Sequence, residues 1–269
     1  MTHISHSKER ESFMHLAKLQ WQVLHALILR DIKTRFFGSA WGMLVSIAWP
    51  VAHIIIVLVV NVFAGRLVPY GDSAVLWFAT GMIPFAAFQY MSRFIMIGIV
   101  NNKPLVVFPR VKIMDILLAR AIVEVLSAGC VILIMIGIFV FLGVDYIPSH
   151  ITDAAFALGA AFLLGLGAGV ISAVIAQAWP VWVLIYSLSM IVFWLISGVL
   201  FVPDSLPEVV RYYASFNPIL QIVLWFRSSY YDDYGYVSLD KSYAVGFALV
   251  ILAVGLVLER LVRGRLLQG

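Results

Sequence analysis

Charge is scarce in this chain. Only 12% of its 269 residues are Asp, Glu, Lys or Arg, against about a quarter in a soluble domain. With 63% apolar residues it has too little polar side chain to cover a surface facing water. That excludes a free-standing soluble domain, whereas an exterior facing lipid removes the difficulty. Cysteine is nearly absent. Cys130 stands alone inside an apolar run, so no internal disulfide forms and a packed, inert thiol is expected. Catalytic and nucleotide signatures are missing as well. No G-x-x-x-x-G-K-[ST] loop occurs, so the chain is not expected to bind ATP in the usual way. Nor is there an H-E-x-x-H or a G-x-S-x-G, which disfavours a membrane protease or esterase. Of six histidines only His53 lies in a long apolar stretch, where packing is the commoner role, and no metal site is expected. Ionisable residues inside the apolar stretches are too few for a proton relay, and the halves of the chain show no inverted repeat. A transport or scaffold subunit that draws its energy from elsewhere remains.

What is present is length without polarity. A transmembrane helix needs roughly 20 mostly apolar residues. Six stretches are read as spans: 41–63, 74–98, 117–142, 154–176, 181–200 and a shorter one at 242–258. The first 12 residues are polar, so no secretory leader is expected. Net charge is +4, and its distribution points to topology rather than nucleic acid. Lys8, Arg10, Lys18, Arg30, Lys33, Arg35, Lys103, Arg110, Lys112, Arg120, Arg260, Arg263 and Arg265 fall on one side of a six-span chain. They are 13 of the 18 basic residues. The positive-inside rule therefore places both termini in the cytoplasm. Arg93, inside the second span near that side, is placed to snorkel toward the headgroups.

Several segments do not read as simple spans. Residues 12–28 carry Phe13, Leu16, Leu19, Val23, Leu24, Leu27 and Ile28 on one helical half, and His15, Lys18, Gln22 and His25 on the other. This suits an amphipathic helix lying in the membrane interface. The charged cluster Arg30 to Arg35 follows, read either as a topological anchor or as part of a gate. In the second cytoplasmic connection, Pro104 and Pro109 bound the run Leu105-Val106-Val107-Phe108, which needs a cover from the bilayer surface or a partner protein. Arg120 and Glu124 stand at i, i+4, and a local salt bridge is the expected pairing. Gly165 and Gly169 have the GxxxG spacing that lets helix backbones approach. Residues 201–241 form a long outer connection with three prolines and many aromatics, among them Tyr212, Tyr213, Trp225, Tyr230 and Tyr231. Connections of this length are usually functional. Its short apolar piece 219–226 reads as interfacial or re-entrant. The aromatics suit an anchoring belt first, and they permit stacking on sugar rings.

A resemblance emerges from these residues in order. Leu27-Ile28-Leu29-Arg30-Asp31-Ile32-Lys33-Thr34-Arg35-Phe36, then Gly42, Trp49-Pro50 and Ala52-His53, resembles the opening of type-2 ABC exporter permeases, the ABC-2 family. The branch it most resembles is capsular polysaccharide export, of KpsM type. Phe78-Ala79-Thr80-Gly81-Met82-Ile83-Pro84-Phe85 is similar to the start of that family's second span, and Leu117-Leu118-Ala119-Arg120-Ala121-Ile122-Val123-Glu124 to the start of its third. Ser197-Gly198-Val199, Pro203, Pro207, Asn217-Pro218 and Arg227 are similar to its signature before the last span. The ordered set covers residues 20–260. Where the family often has a histidine and a glutamate, this chain has Gln221 and Leu224.

The resemblance implies an all-α integral membrane protein. It has six spans, an N-terminal interfacial helix and re-entrant helices before the last span. Residues 1–40 would be a cytoplasmic tail with a gate helix, 41–260 the transmembrane domain and 261–269 a second tail. The function implied is export of lipid-linked capsular polysaccharide across the bacterial inner membrane, with O-antigen, teichoic acid or another amphiphile as alternatives. A channel or scaffold without an ATPase is the alternative from outside the family. The partners implied are a second copy of the chain, two copies of a separate ATPase that binds ATP and Mg, a periplasmic adaptor and an outer-membrane exporter. The loop 101–116 would couple to the ATPase through Lys103, Leu105, Val107, Phe108, Arg110 and Lys112. Trp21, His25, Arg30, Lys33 and Arg35 would serve the gate helix and receive a lipid or sugar head group. Arg93, Tyr212, Tyr213, Trp225, Arg227, Tyr230 and Tyr231 would border the substrate path. No catalytic residue and no cofactor of its own are implied.

Overall fold

The computed structural model describes residues 3–35, 40–65, 68–101, 111–232, 234–235 and 237–266. Among them the regular elements are helical: α1 (His3–Arg35), α2 (Ala40–Phe63), α3 (Ala74–Asn101), α4 (Ile113–Leu142), α5 (Ile151–Ala178), α6 (Trp182–Ile196), α7 (Glu208–Ser215), α8 (Pro218–Ser228) and α9 (Lys241–Leu266), with one 3-10 turn at Pro203–Ser205. Five of these, α2, α3, α4, α5 and α9, are long and apolar enough to cross a membrane. Their outward faces are rows of exposed Leu, Ile, Val and Phe, as an exterior in lipid requires.

The fifth expected span is shorter than its apolar run. α6 has 15 residues, about 22 Å at 1.5 Å per residue, against a hydrocarbon core of about 30 Å. It stops because Gly198 sits at φ +71°, a left-handed backbone open to glycine and costly for other residues. The chain turns there into the connection that leads to α7 and α8. The N-terminal helix differs in the other direction. It runs unbroken from His3 to Arg35, so the Arg30 to Arg35 cluster forms its last turns rather than a separate segment.

α5 is the central helix, held between α3 and α9 by missing side chains. A Cβ on Gly165 would lie 2.8 Å from the Phe88 carbonyl oxygen, and one on Gly169 would lie 2.7 Å from Ile95 Cβ. The GxxxG pair thus seats α3 within one chain. On another face, a Cβ on Gly167 would lie 2.6 Å from the Leu252 amide nitrogen, and Gly255 packs back onto the Gly167 carbonyl. The same register makes α3, α5 and α9 parallel. Their starting ends gather around α8, here termed the cap end. At the opposite end α3, α5 and α9 finish and α4 begins, since Gly98 packs against the Arg120 side chain. α1 lies against the first turns of α4, so α1 and the end of α9 share that terminal end.

Candidate functional site

The cap end is built around Arg227. Asn217 opens α8 by accepting hydrogen bonds from the amides of Ile219 and Leu220, and Pro218 follows at a position where no amide is needed. The Asn217 side-chain amide also donates to the Ile196 carbonyl at 3.1 Å, tying α8 to the end of α6. Residues Ile219 through Arg227 are all buried. Arg227 is fully buried, and its Nη1 donates to the Gly198 carbonyl at 2.5 Å and the Tyr234 hydroxyl at 3.3 Å. Nη2 donates to the Val199 carbonyl at 2.7 Å and the Trp77 carbonyl at 3.1 Å. The guanidinium carbon lies 3.7 Å from the Trp77 ring centroid, a cation–π contact. Burial lowers the Arg227 pKa, and Tyr234 opposes that shift. Gly81 is required beside it, because a Cβ there would fall 2.5 Å from Nη2. Burial pushes the Tyr230 and Tyr231 phenols up to about 12, and raises Tyr234 as well.

This arrangement places three of the expected path residues inside the cap. Arg227, Trp225 and Tyr231 are enclosed in the cap and hold it together, with no open face for a substrate. Trp225 donates to Asp153 Oδ1 at 2.9 Å, which also accepts from Lys241 Nζ at 2.9 Å. Tyr231 packs its ring against Tyr70 and Trp77. Tyr230 is half-buried on Phe226. Gln221 is buried and stitches the connection together: its amide donates to the Ser215 and Ser238 carbonyls and accepts from the Asp240 amide. Leu224 is a core residue. Tyr212 and Tyr213 are exposed on α7. With Arg211, Gln221, Asp240 and Tyr243 they border a cleft of about 690 Å³ at the cap end.

At the terminal end a second arginine fastens α1. Arg120 Nη1 meets Asp31 Oδ1 at 2.8 Å with both side chains at least nine-tenths buried. The pairing thus joins two helices, a contact that the i, i+4 spacing of Arg120 and Glu124 does not foretell. Asp115 accepts from the Lys112 amide at 3.0 Å, capping α4, and also from the Gln20 side chain. Leu27 packs with Ile116 and Ala119, flanked by Val23, Leu24 and Ile28. The outward face keeps Trp21, His25 and Lys33 exposed, with Arg30 half-buried. The Arg35 side chain lies outside the described residues. So do Lys103, Leu105, Val107, Phe108 and Arg110 of the coupling loop. Lys112 is described, exposed at the N-cap of α4.

Between these ends, α2 and α3 form a groove of about 240 Å³ bordered by Trp49, His53, Gln89, Tyr90 and Arg93. His53 Nδ1 lies 3.2 Å from the Tyr90 hydroxyl, with the rings edge to face. Arg93 is exposed there. Of this set, Arg93 alone is expected from the sequence along the path. The others carry a signal in helical spacing: Trp49, Ala52, His53 and Ile56 share one face of α2, and Gln89, Tyr90 and Arg93 share one face of α3. No cluster of His, Cys, Asp and Glu suited to a metal occurs among the described residues.

No protein-family model matches the chain. Individual relatives do. The polysialic acid transport protein KpsM of Escherichia coli is 27% identical over 244 residues, 90% of this chain and 94% of the relative. The capsule polysaccharide export inner-membrane protein CtrC of Neisseria meningitidis is 26% identical over 250 residues, 92% of this chain and 93% of the relative. The capsule polysaccharide export inner-membrane protein BexB of Haemophilus influenzae is 24% identical over 256 residues, 94% of this chain and 95% of the relative.

Proposed function

We propose that this chain, a homologue over nine-tenths of its length of the capsule polysaccharide export inner-membrane proteins, is the permease through which capsular polysaccharide crosses the bacterial inner membrane. The observation that carries this reading is the end-to-end match to relatives named for capsule polysaccharide export in two organisms and for polysialic acid transport in a third. The relatives' capsule names also favour this cargo over O-antigen or teichoic acid. The fold supports it with five membrane-length helices, a shorter apolar α6 that runs from the terminal end to the cap end, and a buried re-entrant α8.

The finer assignments belong to the same proposal. Two copies of the chain pair to enclose the path, and the exposed apolar faces of α2 and α6 offer surface for that contact as well as for lipid. A separate ATPase binds beneath the terminal end, held by the apolar run at Leu105 to Phe108, and supplies ATP and Mg. A periplasmic adaptor and an outer-membrane exporter continue the route. Both termini are cytoplasmic, in keeping with the loop charges and with the placement of α1 and the end of α9 at one end of the bundle. α1 acts as the gate helix for a lipid-linked glycan.

Co-purification with an ABC-type ATPase from the same cells is the deciding experiment. A stable complex is expected, and its loss is expected when Val107 and Phe108 are replaced by aspartate while membrane insertion persists. An ATPase that never associates with the parent chain overturns the exporter reading. An unaffected Val107→Asp/Phe108→Asp variant overturns the coupling assignment.

A further inference from the structure

We infer that Asp115 is a positioning residue through which Val111 and Lys112, the last residues before α4, control the seating of α1. Its carboxylate is the first reason. Asp115 is buried in the first turn of α4, and its two oxygens serve different segments. Oδ2 accepts from the Lys112 amide at 3.0 Å, and Oδ1 accepts from the Gln20 side-chain amide of α1. A buried carboxylate is costly unless its oxygens find donors. Each donor also holds the carboxylate in the position that the other needs, so the two contacts stand or fall together.

Packing is the second reason. Val111 lies against the cluster that seats Leu27 on Ile116 and Ala119. The residues just before α4 thus meet the α1 interface through an apolar contact as well as a polar one. Helix spacing aligns the grips. Gln20, Leu24, Leu27 and Asp31 recur at i, i+4, i+7 and i+11, so they share one face of α1. Asp115 holds that face at Gln20, and Arg120 holds it at Asp31, about 16 Å further along the helix. The Asp115 grip rests on the cap of α4, which a shift of Lys112 undoes. The Arg120 grip stands five residues beyond it on α4. A displacement of residues 111–112 therefore frees the Gln20 end of α1 first. That these residues end a coupling loop, and that α1 is a gate, rests on the exporter reading; the link itself consists of contacts within one chain. Under that reading, a pull by the ATPase reaches the gate helix through this carboxylate without passing along the spans.

A double-mutant cycle in the full chain, purified in detergent, tests the link. The readout is peptide-resolved thiol labelling of a Leu27→Cys reporter, buried in the parent, with the half-buried Cys130 as internal control. Gln20→Leu removes one donor and Lys112→Pro the other. Each should speed labelling of the reporter about ten-fold, the worth of one hydrogen bond to a charged group. The two together should do no more than either alone. Lys112→Ala keeps the amide and should label as the parent does. Effects that multiply in the pair, no effect of Lys112→Pro, equal effects of Lys112→Ala and Lys112→Pro, or equal acceleration at Cys130 would each overturn the proposal. A second measurement adds the ATPase, with ATP and orthovanadate to trap it. Trapping should speed labelling in the parent. Gln20→Leu should abolish that response and label fast in both states. Asp31→Asn loosens the other grip, so it should label faster in both states and keep the response. With the ATPase assembled, no response in the parent, a response kept by Gln20→Leu, or one lost equally in Asp31→Asn overturns the control of α1 by residues 111–112. An ATPase that fails to associate sinks the exporter reading instead, and the cycle in the isolated chain still decides the role of Asp115.

Discussion

Two buried arginines fasten two helices that do not span, α8 and α1, and they do it with different chemistry. At the cap end, Arg227 of α8 gives its hydrogens to main-chain carbonyls of Trp77, Gly198 and Val199 and lies over an indole. At the terminal end, Arg120 of α4 reaches a side-chain carboxylate, Asp31 of α1. The first set of acceptors cannot leave without unfolding α3 or the turn after α6. The second is a contact between two side chains on separable helices, and α1 keeps Met14, Trp21 and Leu29 on its exposed face. The cap is therefore a fixed joint, whereas the α1 clasp is one that can open. A gate helix needs the second kind, and a re-entrant wall needs the first.

Removing the fixed joint should have the largest effect. Arg227→Met leaves the buried Gly198 and Val199 carbonyls short of a donor, at about 1–3 kcal/mol for each unsatisfied group, and loses a desolvated cation–π contact of about 2 kcal/mol. The variant should fail to accumulate or melt far below the parent. Arg227→Lys should rescue little, because an ammonium cannot reproduce the planar fork. Gly81→Ala should fail in the same way by displacing the guanidinium. A melting curve for Arg227→Met that overlays the parent would remove the distinction between the joints.

Opening the clasp should cost less of the whole fold and more of one helix. Losing one partner of a buried ion pair typically costs about 3–5 kcal/mol. Here that cost is expected as local release of α1 rather than global melting, since among the described residues α1 contributes Leu27 and its flanks to a small satellite cluster. The readout is thiol labelling of a Leu27→Cys reporter, buried in the parent. Asp31→Ala should accelerate labelling strongly and Asp31→Asn moderately. Combining Asp31→Asn with Arg120→Gln should restore protection. If Asp31→Ala instead unfolds the bundle as Arg227→Met does, the two joints are equivalent.

The same contrast explains what the sequence discloses. Spans α2, α3, α4, α5 and α9 are legible because length and apolarity are local properties. α6 is misjudged at its end because its apolar run continues to Leu200 while Gly198 turns the backbone. Spacing pairs Arg120 with Glu124 but gives no sign of Asp31, which stands 89 positions away, beyond the reach of any i, i+4 rule. Arg227 is assigned to a substrate path through its match to the signature before the last span; its acceptors are backbone carbonyls, which carry no signature in side-chain identity. The groove is half legible. Periodicity places His53 on one face and Arg93 on another, but only packing brings those faces together.

A smaller effect tests the rigid framework between the joints. Gly167→Ala forces a Cβ to within 2.6 Å of the Leu252 amide nitrogen, an overpacking that typically costs about 1–3 kcal/mol. Gly159 lies on the same helix with nothing within 4 Å of its added Cβ. Gly159→Ala should be neutral or stabilising by up to about 1 kcal/mol. Thermal melts of the two variants should move in opposite directions. Equal shifts would mean that α5 is not clamped against α9 at Gly167.

The smallest effect is absent at neutral pH and appears only in alkali. Tyr230 and Tyr231 are pushed up to about 12 by burial, against an ordinary phenol near 10. A group whose folded-state pKa is raised binds its proton more tightly when folded. Its contribution is therefore complete below about pH 10 and is lost as pH climbs from about 10 toward about 12. Both rings sit at the cap end, so alkali should loosen the fixed joint. Melting temperature should hold below about pH 10 and fall above it, and Tyr231→Phe should flatten that fall by removing one titrating phenol. An unchanged slope in Tyr231→Phe would show that alkaline loosening begins elsewhere, and the cap would then owe its rigidity to Arg227 without a measurable share from the phenols around it.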